Sequence, residues 1–371
     1  MEKLRLCCPC HFGLESVLKF ELGKIGAENL NVTDGKISFD GTPETLVKAN
    51  LWLATAERVL IELGSFRAET FEQLFEGVAA LPLERFIGKA DAFPVKGHSL
   101  NSKLHSIPDC QRIIKKAASK RLGRVYGVEW LEETGALHQI QFGIMKDICT
   151  VYLDTTGAGL HKRGYRKNSN AAPIKETLAA GIIDLARVRA DSIVCDPMCG
   201  SGTFLIESAF KALNVAPGLR RNFAAMKWQQ IPETLWQNER KAALESLRRD
   251  CSFRGYGSDI DPEAVDLTLE NSKKAGVASR LEIREQDVMK FSAPEGAVTI
   301  CNPPYGERML EIKEAEELYK RLGERIRPDS KHPAVIISPD EDFEKFFGKQ
   351  ADKKRKLYNG MIKCNLYMYF K

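Results

Sequence analysis

Asn302-Pro303-Pro304-Tyr305 puts two hydrogen-bond acceptors and an aromatic face into one short stretch. The Asn amide oxygen and a backbone carbonyl freed by proline can both accept from a single planar NH2 group. Two such acceptors hold a weakly basic amine and shift electron density onto its nitrogen. The Tyr ring offers a flat base a surface for stacking. This combination suits methyl transfer to an amine attached to an aromatic ring or an amide. Proline pairs also mark ordinary turns, so the motif draws its weight from its surroundings. It follows the apolar run Val298-Thr299-Ile300-Cys301, which reads as a buried parallel strand ending at a site.

A glycine turn lies upstream. The strand Ser192 to Cys195 runs into Asp196-Pro197-Met198-Cys199-Gly200-Ser201-Gly202-Thr203, and a helix, Phe204 to Leu213, follows at once. Such a turn lets a ligand approach the backbone closely and leaves N–H groups at the helix start. Phosphate binders carry G-x-G-x-x-G at this place. Here Gly-Ser-Gly follows an acid and no Walker lysine comes after it. An acidic strand end suits a cation. S-adenosylmethionine carries a sulfonium, an ammonium and no phosphate, so it fits better than NAD or ATP. Asp259 closes the next predicted strand and suits ribose hydroxyls. Asp261, before Pro262, reads as a helix cap with Gly276 closing the helix; on sequence grounds the two aspartates are interchangeable. Asp287 follows the strand Leu281 to Arg284 and reads equally as an adenine acceptor or a turn cap. Asn302 ends the fourth strand. Four strand ends thus deliver polar groups to one sheet edge, where open α/β folds bind ligands.

The positioning elements follow from periodicity. Pro333 to Ile337 is a fifth strand, and Asn359-Gly360 turns a closing hairpin. The first 155 residues alternate short strands and helices, with a hairpin at Asp34-Gly35 and a turn at Lys146-Asp147. Asp109 to Leu122 is a basic amphipathic helix bearing Arg112, Lys115, Lys116 and Lys120, with no acidic residues interleaved. A strand with His98 and Ser102-Lys103 precedes it. A solvated face and an RNA-binding face both fit. A second basic run, with Lys162, Arg163 and Arg166, lies in a Gly-, Lys- and Ser-rich linker, and Pro173 is expected to start the next helix. The segment between Thr203 and Gly255 exceeds what a helix crossover needs. Trp228 is expected to pack this insert onto the sheet, and Arg220 and Arg221 to meet RNA.

Length and composition bound the class. The chain has 371 residues, 43% of them hydrophobic, and a formal charge of +5. That suggests an ordinary globular protein of two or three domains. No stretch approaches the roughly 18 apolar residues of a membrane helix, and the first residues lack a signal-peptide core, so a cytoplasmic location is expected. The ten cysteines are expected as thiols. Cys7-Cys8-Pro9-Cys10-His11 has no second pair at zinc-site spacing and reads as strand side chains, with no metal expected.

Asp196 to Thr203, Asp259, Asp287 and Asn302 to Tyr305 resemble the class I S-adenosylmethionine-dependent methyltransferases that methylate amines. Leu153 to Gly157, Leu160 to Arg166, Ala172 to Ala180, Asn222 to Ala224 and Lys227-Trp228 narrow this to the THUMP-domain methyltransferases. They are most similar to the bacterial 23S ribosomal RNA guanine-N2 group, often labelled N6-adenine-specific DNA methylases. The resemblance implies a mostly parallel Rossmann-like sheet with an antiparallel last strand at 173–371. It implies a ferredoxin-like plus THUMP RNA-binding region at 1–155, with THUMP from about 44, and a basic linker at 156–172. It implies a methionine cradle from Asp196, Pro197, Cys199, Gly200, Gly202 and Thr203, with Asp259 or Asp261 at ribose, Asp287 at adenine and Thr177 flanking the cofactor. Asn302, Pro303, Pro304 and Tyr305 would position the base. Lys103 and the basic helix and linker would contact RNA, as 23S rRNA or an assembling ribosomal particle. Some members carry a second methyltransferase domain; with one such domain here, one modification activity is expected. The competing readings are a DNA adenine-N6, tRNA guanine-N2 or protein glutamine methyltransferase, an RNA-binding module without catalysis, and a dinucleotide oxidoreductase.

Overall fold

The computed structural model describes residues 3–166, 173–306 and 309–371, with the backbone alone for 309–311. Two seven-stranded sheets organise it.

The first half runs β1 (Leu4–Pro9), α1 (Glu15–Lys24), β2 (Glu28–Thr33), β3 (Lys36–Gly41), α2 (Pro43–Trp52), β4 (Leu60–Arg67), α3 (Phe71–Ala79), β5 (Val95–Leu100), α4 (Ile107–Tyr126), β6 (Ile140–Met145) and β7 (Ile148–Asp154). The strand order is β2-β3-β1-β4-β7-β6-β5. β4 joins two subassemblies by pairing with β1 on one side and β7 on the other. The β6–β7 turn places Lys146 and Asp147 at φ 51° and 64°, the left-handed pair that a tight hairpin requires. Cys7, Cys8 and Cys10 are buried along this first sheet, and all ten cysteines are free thiols. Among the described residues no helix is long and apolar enough to cross a membrane.

The second half runs α5 (Glu176–Leu185), β8 (Ile193–Asp196), α6 (Thr203–Leu213), α7 (Glu233–Glu245), β9 (Arg254–Asp259), α8 (Pro262–Ala275), β10 (Leu281–Glu285), β11 (Ala297–Cys301), α9 (Met309–Ile326), β12 (Ala334–Ser338), α10 (Phe343–Phe347), β13 (Lys353–Asn359) and β14 (Ile362–Tyr369). The order is β10-β9-β8-β11-β12-β14-β13. Strands β8 to β12 are parallel, and β14 inserts antiparallel between β12 and β13. Every residue of β11 and β12 is buried, as expected of strands covered on both faces. Helix α5 starts at Glu176 rather than Pro173.

The two halves exchange core residues. Leu14 and Val17, at the start of α1, belong to the apolar core of the second sheet. Leu14 comes so close to Gly181 that an added Cβ would stand 2.3 Å from its Cδ1. In return, Phe223, Trp228 and Trp236 of the insert join the core of the first sheet. Trp228 therefore packs the insert onto the N-terminal half, not onto the methyltransferase-like sheet as expected. It stacks on His138 at 4.3 Å and donates to the Leu137 carbonyl at 2.9 Å. Of the two insert arginines expected to meet RNA, one is also reassigned. Arg221 is buried and donates to Ala158 O, and Arg220 donates to Lys274 O at 2.7 Å. Arg221 is thus used in fastening, whereas Arg220 makes its bond from an exposed position.

Trp228→Ala should cost about 3–5 kcal/mol of stability, read as a lower urea midpoint. An unchanged midpoint would show that the insert is not an anchor.

Candidate active site at the carboxyl edge of the second sheet

The glycine turn after β8 is held from behind and open in front. Asp259 Oδ2, at the end of β9, accepts from Gly200 N at 2.9 Å. From α8, Thr268 Oγ1 donates to Gly200 O at 2.7 Å and Asn271 Nδ2 donates to Ser201 O at 3.0 Å. Cys199 N donates to Ser258 O at 2.9 Å. Gly200 and Gly202 have φ of 52° and 77°, a region that L side chains enter only with strain. A Cβ on Gly202 would meet Thr268 Cγ2 at 2.7 Å, whereas one on Gly200 would meet nothing within 4 Å. The open side is where a ligand can lie against the backbone.

Asp196 is buried at the floor of this turn, with Oδ1 accepting from Met198 N at 3.2 Å. Burial, reinforced by the charge of Asp259, pushes its carboxyl from 3.8 up to about 8. Asp261 caps α8 by accepting from Glu263 N at 2.9 Å, which leaves Asp259 as the aspartate facing the turn. Asp287 Oδ1 accepts from Met289 N at 2.8 Å and so caps its own turn. Beside it, Gln286 Nε2 is buried with no partner among the described residues.

Asn302 leaves β11 next to the turn, because β11 and β8 are paired neighbours. Its Oδ1 accepts from the Tyr305 hydroxyl at 2.7 Å, and that hydroxyl accepts from Asn359 Nδ2 at 3.1 Å. A hydroxyl that accepts from Asn359 keeps its hydrogen for Asn302, in keeping with oxygen at that end of the amide. Tyr305 was expected as an open stacking face. It is instead half-buried against the core of the second sheet, and burial pushes its phenol well above the usual range. Tyr319 donates to Pro304 O at 3.2 Å; Pro303 is buried and Pro304 exposed. Burial also raises the Cys199 and Cys301 thiols, which keeps both unreactive.

Residues 163–368 match the RMKL-like methyltransferase domain family, residues 5–60 the RlmL ferredoxin-like domain and residues 68–154 the THUMP domain. The chain belongs to the RMKL-like methyltransferases. It is 40% identical to "Putative RNA methyltransferase YpsC" of Bacillus subtilis (strain 168), over 100% of this chain and 97% of that protein. It is 33% identical to the ribosomal RNA large subunit methyltransferase K/L of Psychromonas ingrahamii over 97% of this chain but 49% of the relative, so it spans about half of that protein. Among solved structures, one described as "SMU.472, a putative methyltransferase complexed with SAH" superposes with a TM-score of 0.94. It is 39% identical, over 100% of this chain and 98% of that one.

S-adenosylmethionine is the cofactor of this methyltransferase. The residues present fit it: an open glycine turn, a buried carboxylate at its floor with no cationic partner among the described residues, and, on the same terms, a buried orphan donor at Gln286. Asp196 to Thr203, Asp259 and Asp287 line one edge, as expected of a methyltransferase crevice.

Elsewhere the structure reassigns residues. Arg163 is buried, with its guanidinium on Glu207 at 3.4 Å and on the carbonyls of Leu160 and Ala54; it is no RNA contact. Arg166 turns inward as well, donating to Thr203 Oγ1 at 2.6 Å. Lys115 lies over the Phe93 ring at 3.5 Å and pairs with Glu133 at 2.5 Å. Acidic partners do reach the basic helix: Asp109 pairs with Arg112, and Glu84 with Arg121. Lys103 pairs with Glu69 but stays exposed, and Lys116, Lys120 and Lys162 are exposed. Thr177 is fully buried and donates to Glu57, which also meets His11 Nε2 at 3.0 Å. Its side chain thus faces the N-terminal half, not the cofactor turn. Burial opposes charge on Glu57, but bonds from His11, His161 and Thr177 outweigh it and hold the carboxyl far below its usual range. Glu57 went unrecognised in the sequence. The only hint was His11 beside a run of cysteines.

A raised value means that the fold holds the protonated Asp196 more tightly than the unfolded chain does. Asp196 therefore lowers stability as pH rises from about 4 to about 8. A bound cation reverses the preference. Cofactor binding at pH 7 should release a proton, read by calorimetry in buffers of different ionisation heat. Asp196→Asn should abolish that release; equal release by both proteins would exclude Asp196 as its source.

Proposed function

We propose that this chain methylates the exocyclic N2 amine of a guanine in 23S ribosomal RNA, either free or in an assembling particle in the cytoplasm. The observation that carries the reading is the oriented Asn302 oxygen beside the glycine turn. The Tyr305 hydroxyl occupies one lone pair of Oδ1, and the second remains for a substrate amine. A ring nitrogen such as guanine N7 has no hydrogen to offer that oxygen. An exocyclic NH2 has two, one for Asn302 and one for the Pro303 carbonyl. The match to THUMP and the K/L relatives, named for large-subunit ribosomal RNA, support RNA over DNA.

The cofactor, when bound, would supply an electrophilic methyl carbon, its carbon–sulfur bond breaking as the carbon–nitrogen bond forms and S-adenosylhomocysteine leaving. The chain holds the target nitrogen in line with that carbon, and the nitrogen sheds its proton to solvent. Such positioning can remove up to about 7–11 kcal/mol of barrier. The target base leaves its stack and settles beside the half-buried Tyr305 ring, whose hydroxyl stays on Asn302. Pro304 fixes the bend. Lys103, Arg112, Lys116, Lys120 and Lys162 supply phosphate contacts, a term that weakens as salt rises.

Asn302→Ala should reduce transfer of labelled methyl to 23S RNA by roughly 100- to 1000-fold with cofactor affinity unchanged. Loss of both would make Asn302 structural, and label in DNA rather than RNA would overturn the acceptor. Mass mapping should place the mark at guanine N2, and a mark at adenine N6 would overturn that choice. Tyr305→Phe should lower kcat more than it changes KM for RNA, because the amide loses its orienting donor. An unchanged kcat would show that the hydroxyl does not orient Asn302.

A further inference from the structure

We propose that Arg166 binds the carboxylate of the cofactor's methionine end. The inference rests on S-adenosylmethionine being the ligand of the glycine turn. Arg166 belongs to a stretch whose composition suggests phosphate contacts, but its side chain is only 16% exposed. Nη2 donates to Thr203 Oγ1 at 2.6 Å and to Ile174 O at 3.2 Å. Thr203 Oγ1 lies 3.2 Å from Ser201 Oγ, within the glycine turn itself. The guanidinium therefore sits where the turn becomes α6.

Charge complementarity gives the reason for a cation there. The methionine end of the ligand is a zwitterion, so its site needs an anion and a cation a few bonds apart. Asp196 supplies the anion at the floor of the turn. Of the two arginines in this stretch, Arg163 is consumed by Glu207, and only Arg166 reaches the turn. The N-terminus of α6 adds positive potential at the same point. Glu176 faces Nη1 at 3.5 Å, and Nε is buried with no partner among the described residues. A buried donor left unmade is costly, and a guanidinium fork matches a carboxylate in shape. A Cβ on Gly200 would meet nothing within 4 Å, so a ligand chain can lie against the turn there.

The test uses calorimetry with two probes, S-adenosylmethionine and its decarboxylated analogue, which keeps the sulfonium and the ammonium. Arg166→Gln should weaken the first by roughly 10- to 100-fold and leave the second nearly unchanged. Arg166→Lys, which keeps the charge, should recover part of the difference; it carries the comparison if the glutamine variant fails to fold. Equal weakening of both ligands would make Arg166 a structural prop and overturn the proposal, as would no change for either. If the unaltered chain binds neither probe, the cofactor reading itself falls, an outcome distinct from the other two.

Discussion

One carboxylate decides whether the crevice exists. Asp259 accepts from Gly200 N with one oxygen and from Asp261 N with the other. It thereby ties the loop after β8 to the loop after β9. A glycine turn is intrinsically loose. Without a tether it would sample many shapes, and the entropy of ordering it would fall on ligand binding. Thr268 and Asn271 of α8 hold its carbonyls from the other side. What remains free is one face of backbone, beside Asn302 on the neighbouring strand. The parallel order of β10, β9, β8 and β11 makes this possible, because only parallel strands bring all their carboxyl ends to the same edge.

The interlock of the two halves matters for the same reason. Leu14 is buried in the second core and Trp228 in the first. Glu57 gathers His11, Lys175 and Thr177 across the junction. A nucleic acid held by the N-terminal half would thus meet a catalytic edge in fixed register. The insert, apparently surplus to the sheet, is the strap that fastens one half to the other.

Much of this was legible in the sequence. Buried strands announce themselves as short apolar runs, and the turns at Asp34-Gly35 and Lys146-Asp147 lie where the hairpins turn, while the closing hairpin turns at Gly360-Met361, one residue beyond Asn359-Gly360. The Asp261-Pro262 cap and its closing Gly276 are also as read. What escaped was the direction of charged side chains. A basic stretch looks the same whether its cations face water or a buried acid. Arg163 and Glu207 are 44 positions apart and Thr177 and Glu57 are 120, so no local pattern links them. The same holds for Tyr305: its ring reads as a stacking face, but the partners that draw it inward, Asn359 and Cys364, come from the closing hairpin. Trp228 reads as a packing residue and is one, but on the other half, because composition identifies an anchor and not what it anchors to.

The tether is best tested on the folded full chain by calorimetric titration with S-adenosylhomocysteine, with the native spectrum checked by circular dichroism. The unaltered protein should take up one equivalent, and Asp259→Ala should lose that heat while staying folded. Full-strength uptake by the Asp259→Ala protein would contradict the role given to this carboxylate and with it the crevice built around it.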